Sequence, residues 1–233
     1  MFKAGPLAEK AMNTMYRLFR NLTGAAALAA LSVVSVADLS APAHAQAVPS
    51  KTASPQLDQA VTALRGISTL RADFIQTDRN GQRVAGVLTL KRPGKIRFQY
   101  EKGVPLLIVG DGKALTMIDY EVAQVQRWPI QNSPLGALLD PARDVARYGK
   151  LVATSNPDVI SVEVRDRDHP EYGVITMIFV RKASAPGGLE LASWVALDSQ
   201  NRRTTIRLAN HAYGVAVADN TFRWNDPRRS VRR

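Results

Sequence analysis

VAGVLTLKRPGKIRFQYEKGVPLLIVGDGKALTMIDY, residues Val84–Tyr120, is the stretch that decides the fold. It reads as a strand over Val84–Leu90, a turn at Lys91-Arg92-Pro93-Gly94-Lys95, and a return strand over Ile96–Tyr100. Two more short strands follow, hinged on Gly110-Asp111-Gly112. Side chains alternate across a strand, so Val84, Gly86, Leu88 and Leu90 share one face. Ile96, Phe98 and Tyr100 likewise share a face, while Lys95, Arg97 and Gln99 take the other. That pattern predicts one buried side and one wet side. Gly86 inside a strand signals either a bulge or the close approach of another element. The stretch holds no His, no Cys and no Gly-rich phosphate loop. A meander of apolar strands with one arginine beside its tightest turn suits a cradle for something apolar.

The flanks extend the same reading. Upstream, Pro55-Gln56-Leu57-Asp58 opens a helix with Leu57, Val61 and Leu64 on one stripe, Ser54 as N-cap and Gly66 as its end. In Leu70–Thr77, Leu70, Ala72, Phe74 and Gln76 alternate with Arg71, Asp73, Ile75 and Thr77, and Asn80-Gly81 predicts a two-residue hairpin turn. Downstream, Pro105–Val109, Ala114–Ile118 and Gln124–Trp128 continue the meander. At Pro129 the pattern breaks into two short helices, Pro134–Leu139 and Pro141–Tyr148, each opened by Ser-Pro or Asp-Pro. Leu135, Leu138 and Leu139 form an apolar face on the first; Val145 and Tyr148 do so on the second. Such a pair must cover something, because it cannot bury its apolar stripe alone. Strands resume at Leu151–Thr154, Val159–Val164, Val174–Val180, Leu189–Asp198 and Thr204–Asn210, with Phe222-Arg223-Trp224 as a last short edge strand. The expected class is mainly β with a helical insert (α+β), built on a large antiparallel sheet or barrel.

The ends are expected to lie outside that domain. Residues 1–45 read as a secretory signal peptide: Lys10, Arg17 and Arg20, then apolar Leu22–Ala37, then Ala43-His44-Ala45 as a cleavage site. Met12 and Met15 are alternative starts within the long basic region. A membrane anchor is the competing reading, but the apolar stretch is short for a span of roughly 20 residues. Residues 46–55 read as a flexible leader, 56–226 as one domain and 227–233 as a basic tail. Without residues 1–45 the chain keeps 27 basic against 18 acidic residues, net +9, and 20 of the 27 are arginines. Export argues against nucleic acid as the partner of that charge, and no stripe of bases interleaved with aromatics appears.

Catalysis finds little to stand on. With no cysteine in the chain, a disulfide framework, thiol chemistry and lipid attachment through a cysteine are all excluded. The run Arg165-Asp166-Arg167-Asp168-His169-Pro170-Glu171 could bind a metal or move a proton, yet it reads better as a solvated loop of self-cancelling charge. His211 reads as structural. No Gly-x-Ser-x-Gly elbow occurs, and neither Gly110-Asp111-Gly112 nor Pro186-Gly187-Gly188 opens a helix that could seat a phosphate. The chain is expected to be no enzyme and to need no cofactor. Arg92 stands apart only by its place at a sheet rim, where a guanidinium's five donors could hold several carbonyls.

Three segments resemble the LolA-like outer-membrane lipoprotein carriers: Leu70-Arg71-Ala72-Asp73-Phe74-Ile75-Gln76, Gly86–Gly94, and Val109-Gly110-Asp111-Gly112-Lys113 with Ile118-Asp119-Tyr120. A looser likeness runs through Trp194–Asp198, Thr205-Ile206-Arg207-Leu208 and Thr221-Phe222-Arg223-Trp224. The resemblance implies an unclosed, curved antiparallel β-barrel of about eleven strands with short lid helices. It also implies an acyl-chain cavity lined by Phe74, Leu88, Leu90, Ile96, Phe98, Tyr100, Leu135 and Leu138. Arg92 matches the family arginine that bonds lid-helix carbonyls, and Ile96 stands where family members can carry an aromatic.

In function the resemblance implies a monomeric periplasmic chaperone. Its partners would be acylated lipoproteins, an inner-membrane lipoprotein-releasing ABC transporter, and an outer-membrane acceptor or the membrane itself. The missing cysteine favours a soluble shuttle over the lipid-anchored acceptors of the same fold. A sensor that responds to lipoproteins or envelope stress is the alternative on this fold.

Overall fold

The computed structural model describes residues 54–130, 136–139, 145 and 147–228. Eleven antiparallel strands form one sheet: β1 Thr69–Thr77, β2 Arg83–Lys91, β3 Lys95–Tyr100, β4 Leu106–Asp111, β5 Ala114–Asp119, β6 Gln124–Pro129, β7 Gly149–Val152, β8 Val159–Arg165, β9 Val174–Arg181, β10 Leu189–Leu197 and β11 Arg203–Tyr213. Their spatial order is β6-β5-β4-β3-β2-β1-β11-β10-β9-β8-β7. Two meanders are thus joined by the β1–β11 pairing, and β6 and β7 remain as two edges, so the curved sheet stays unclosed. The expected fold class and strand number hold.

Alternation decides which side faces in. Along β1, Leu70, Ala72, Phe74 and Gln76 are buried and the residues between them are exposed or half-exposed. One apolar cluster gathers Leu70, Ala72 and Phe74 with Leu88, Leu90, Ile96, Phe98, Tyr100, Met117, Met177, Phe179, Trp194 and Ile206. Helix α1, Pro55–Gly66, covers this face through Ala60, Val61, Ala63 and Leu64, with Leu57 packed beside them. Its start relies on the Ser54 carbonyl, which accepts from Leu57 N (2.8 Å) and Asp58 N (3.0 Å); the Ser54 side chain makes no cap bond. Helix α2, Gly136–Leu139, adds Leu138 and Leu139 to the cluster, and Val145 joins them from the second helical segment. Tyr148 packs against the cluster as well, and other residues of the expected helical pair, Leu135 included, lie outside the described residues.

Gly86 marks a close approach and not a bulge. Register runs unbroken through it to both neighbours, whereas the irregularities fall in β1 between Arg71 and Asp73 and in β10 between Leu191 and Ser193. A Cβ at Gly86 would lie 2.3 Å from the Gln99 carbonyl oxygen and 2.7 Å from the Phe74 ring. Only glycine leaves room there for that ring.

Two expectations need correction. Asn80-Gly81 does not form a two-residue turn. Gly81 N donates to the Asp78 carbonyl (3.1 Å) and Asp78 N to the Gln82 carbonyl (3.0 Å), leaving a loop of Arg79, Asn80 and Gly81. The Asp78 carboxylate accepts from Asn80 N and Gln82 N, both at 2.8 Å, and so favours the longer loop. The second correction concerns Phe222-Arg223-Trp224, which is not a strand. After β11 the chain crosses the outer face of the first meander, with a short 3-10 turn at Asp219–Phe222. Phe222 is buried there with Leu107, Val109 and Ile118, and Val217 and Trp224 pack against them. The side read as wet is therefore covered over β4 and β5.

Polar residues of the same outer face pin this strap. Lys91 Nζ donates to the Val217 carbonyl (2.8 Å) and Lys95 Nζ to Asp219 Oδ1 (2.9 Å). Arg97 Nη1 donates to the carbonyls of Thr221 (3.1 Å) and Arg223 (3.0 Å). The Lys95 and Lys91 ammonium groups hold the Asp219 carboxyl at about 2, below its ordinary 3.8.

Two outcomes follow from this packing. Gly86→Ala should cost about 1–3 kcal/mol, because overpacking a filled site forces backbone or ring to move. Urea unfolding that left the midpoint unchanged would contradict the contact. A carboxyl depressed in the folded state stabilises above its unfolded pKa and loses that contribution as pH falls through its folded pKa. Strap amides at Thr221 and Arg223 should therefore lose hydrogen-exchange protection between pH 3.8 and about 2, ahead of β1 and β2. Simultaneous loss across all three segments would speak against a separate strap.

Candidate functional site

The residues read as lining an apolar cavity converge on one place. Phe74, Leu88, Leu90, Ile96, Phe98, Tyr100 and Leu138 are each 3% exposed or less and belong to the same cluster. Strand register explains their meeting: Phe74 pairs with Gly86, Gly86 with Tyr100, Leu88 with Phe98 and Leu90 with Ile96. The Phe74 ring meets Phe98 edge-on at 5.5 Å and Tyr100 at 5.2 Å, and Phe98 meets Trp194 at 6.3 Å. These edge-to-face contacts are the geometry that aromatic quadrupoles favour. Trp194 is not among the expected residues: the irregularity between Leu191 and Ser193 shifts the alternation of β10, so Trp194 and not Ser193 follows Leu189 and Leu191 to the inner side.

One polar pair sits among the rings. Tyr100 Oη donates to Gln76 Oε1 at 2.8 Å, with both side chains buried. Burial raises the phenol's pKa above its ordinary range, so the hydroxyl keeps its proton and remains a donor. Together these residues offer a face that excludes water and can bind by contact area. They present no nucleophile–base pair.

Arg92 closes the rim of this face, and its contacts are specific. Nε donates to the carbonyls of Leu64 (3.2 Å) and Ile67 (3.1 Å), and Nη2 to Leu64 (2.7 Å) and Leu138 (3.1 Å). Nη1 donates to the Leu139 carbonyl at 2.7 Å. Leu64 and Ile67 stand at the C-terminal end of α1; Leu138 and Leu139 end α2. The last carbonyls of a helix have no partner within it and carry the negative end of its dipole. One guanidinium thus satisfies the ends of both covering helices and ties them to the β2–β3 turn.

That turn is itself anchored. Gly94 (φ +67°) packs so tightly on the β4–β5 turn that a Cβ there would lie 2.7 Å from Gly112 Cα. The expected place of Arg92 at a rim, with donors for several carbonyls, holds; which carbonyls it meets is what side-chain patterns do not reveal.

The remaining candidates fall elsewhere. His169 is exposed in its loop, where Nδ1 lies 3.0 Å from Glu171 Oε1 and the ring stacks on Tyr172. No group of three or more potential metal ligands forms among the described residues. His211 Nε2 lies 2.9 Å from the Leu191 carbonyl, a strand-to-strand contact at the β10–β11 seam.

Comparison with known proteins gives a consistent result. Residues 65–225 match the family model described as outer membrane lipoprotein carrier protein LolA. An outer-membrane lipoprotein carrier protein of Dechloromonas aromatica is 38% identical over 207 residues, 84% of this chain and 92% of its own. Another, from Chromobacterium violaceum, is 42% identical over 144 residues; that match spans 59% of this chain and 61%, less than two thirds, of the relative. A LolA superfamily structure from Nitrosomonas europaea aligns with 75% of this chain and 99% of its own at 10% identity, with a TM-score of 0.42.

Replacing Arg92 by Leu should leave the sheet folded and loosen its cover. The change removes charge-assisted bonds worth about 1.5–3 kcal/mol each and orphans helix-end carbonyls. Fluorescence of an apolar dye should rise on Arg92→Leu, with Arg92→Lys in between because lysine keeps charge but loses the fork. Equal dye binding by all three proteins would show that the cover is held by other contacts.

Proposed function

Since this chain belongs to the LolA family of outer membrane lipoprotein carriers, we propose that it is a periplasmic chaperone for acylated lipoproteins. It takes up the acyl chains as a lipoprotein leaves the inner membrane and carries them, shielded, to the outer membrane. Its N-terminal 45 residues serve as the export signal. An inner-membrane releasing transporter of the ABC type loads it, and an outer-membrane acceptor, or that membrane itself, relieves it of cargo. The protein acts by binding alone, with no catalytic step.

Physical chemistry explains why such a carrier is needed. Each methylene hidden from water contributes about 0.8 kcal/mol, so one acyl chain of ~15 methylenes gains on the order of 12 kcal/mol. Exposing it during free diffusion between membranes is prohibitive. An empty apolar face is costly too, and burying it under α1 and α2 removes that cost while no cargo is bound.

The observation that carries the reading is Arg92 bonded to four carbonyls on two helices above an apolar face. In the loaded state the helices move off and acyl chains pack against Phe74, Leu88, Leu90, Ile96, Phe98 and Tyr100 of the sheet and against Leu138 of the displaced α2, with Leu135 as a further lining residue. Release then becomes a handover, driven by a better site for the lipid together with recovery of the Arg92 bonds.

The test is direct. The purified protein should release a radiolabelled acylated lipoprotein from spheroplasts into the medium, and the two should elute together. Arg92→Leu should load at least as well but transfer cargo to outer membranes more slowly. A folded protein that releases no lipoprotein would end the carrier reading. A pull-down that recovered an anti-sigma-type protein instead would favour a sensor.

A further inference from the structure

A second feature lies at the far end of β1 from the Arg92 turn. Thr69 pairs with Lys91 and Thr77 with Arg83, so eight residues of strand, about 26 Å at 3.3 Å per residue, separate the two ends. Here two hairpins stand side by side, because β1 pairs with β11 and Thr77 lies opposite Thr205. Their turns are built alike. Asp78 Oδ1 accepts from Asn80 N and Gln82 N, and Asp198 Oδ1 accepts from Gln200 N and Arg202 N, all four bonds at 2.8 Å. Asp198 Oδ2 also accepts from Arg202 Nε at 2.6 Å.

Between the hairpins opens a cleft of about 680 Å³ lined by five arginines, Arg79, Arg83, Arg202, Arg203 and Arg207, with the single carboxylate of Asp78. That carboxylate is bonded to its own turn. Among the described residues Arg79, Arg83, Arg203 and Arg207 make no ion pair, and all four are exposed. Like charges gathered around one concavity repel one another, a cost that a bound anion reverses. Every cation in the cleft is an arginine, whose planar fork matches the oxygens of phosphate. Thr77 and Thr205 add hydroxyl groups to the lining.

The geometry points to a binding site for a phosphate-bearing anion, separate from the apolar face and independent of the cargo it carries. Its source is either the headgroup of an anionic phospholipid or a free phosphate or pyrophosphate anion, and the chemistry of recognition is the same.

Calorimetry with inorganic pyrophosphate and co-sedimentation with phosphatidylcholine vesicles, with and without phosphatidylglycerol, test this on the full chain. Arg83→Gln/Arg207→Gln and Arg79→Gln/Arg203→Gln each remove two exposed cations, and circular dichroism checks that they fold. Lys102→Gln/Lys113→Gln removes equal charge at turns outside the cleft. Saturable pyrophosphate binding, about tenfold weaker in either arginine pair and unchanged in the lysine pair, would establish a site for free phosphate anions. Binding only to phosphatidylglycerol vesicles, with the same dependence on the variants, would establish a headgroup site. The proposal falls if neither probe binds, if the arginine pairs bind like wild type, or if the lysine pair weakens binding as much.

Discussion

A curved sheet that gathers Phe74, Phe98, Tyr100, Trp194 and their aliphatic neighbours on its inner side cannot leave them against water, and the Arg92 guanidinium ties down the helices that prevent it. Apolar contact between α1 and the sheet supplies most of the energy but has little directional preference. The guanidinium supplies direction. Its donors meet carbonyls at the ends of two helices at once, which fixes where both stop relative to the β2–β3 turn. Such a contact can also be exchanged, since water or another donor can take over the carbonyls when the helices move. A cover held only by interlocked side chains would lack this single point of release.

The outer side of the sheet obeys a second constraint. Strands β4 and β5 are apolar on both sides, with Leu107, Val109 and Ile118 facing away from the inner cluster. The C-terminal strap covers them with Phe222, and Lys91, Lys95 and Arg97 hold the strap by its carbonyls and by Asp219. Residues that alternation assigns to solvent therefore act as fasteners. The outer residues of β2 thus serve two ends of the molecule: Lys91 holds the strap, and Arg83 lines the arginine cleft.

Much of this was legible in the residues themselves. Period-two alternation marked the inner faces of β1, β2 and β3, and a residue's face follows from its place in the strand. Gly86 announced a close approach, and the Phe74 ring is what approaches. Reading failed where a neighbouring side chain or a distant surface decides. Asn80-Gly81 is a strong local signal for a tight turn, but the Asp78 carboxylate stabilises a longer loop. Phe222-Arg223-Trp224 has the composition of a strand, yet no edge is free beside it and an apolar surface is.

The sequence by itself determined the elements, their inward faces and the absence of thiol chemistry, because strand periodicity and residue type are local properties. Tertiary structure alone decided that β1 pairs with β11, that four backbone carbonyls converge on Arg92, and that five arginines from two hairpins share one cleft. The physical reason is that backbone carbonyls are alike in every residue. Only the folded path of the chain selects which of them meet a given side chain, and which distant charges become neighbours.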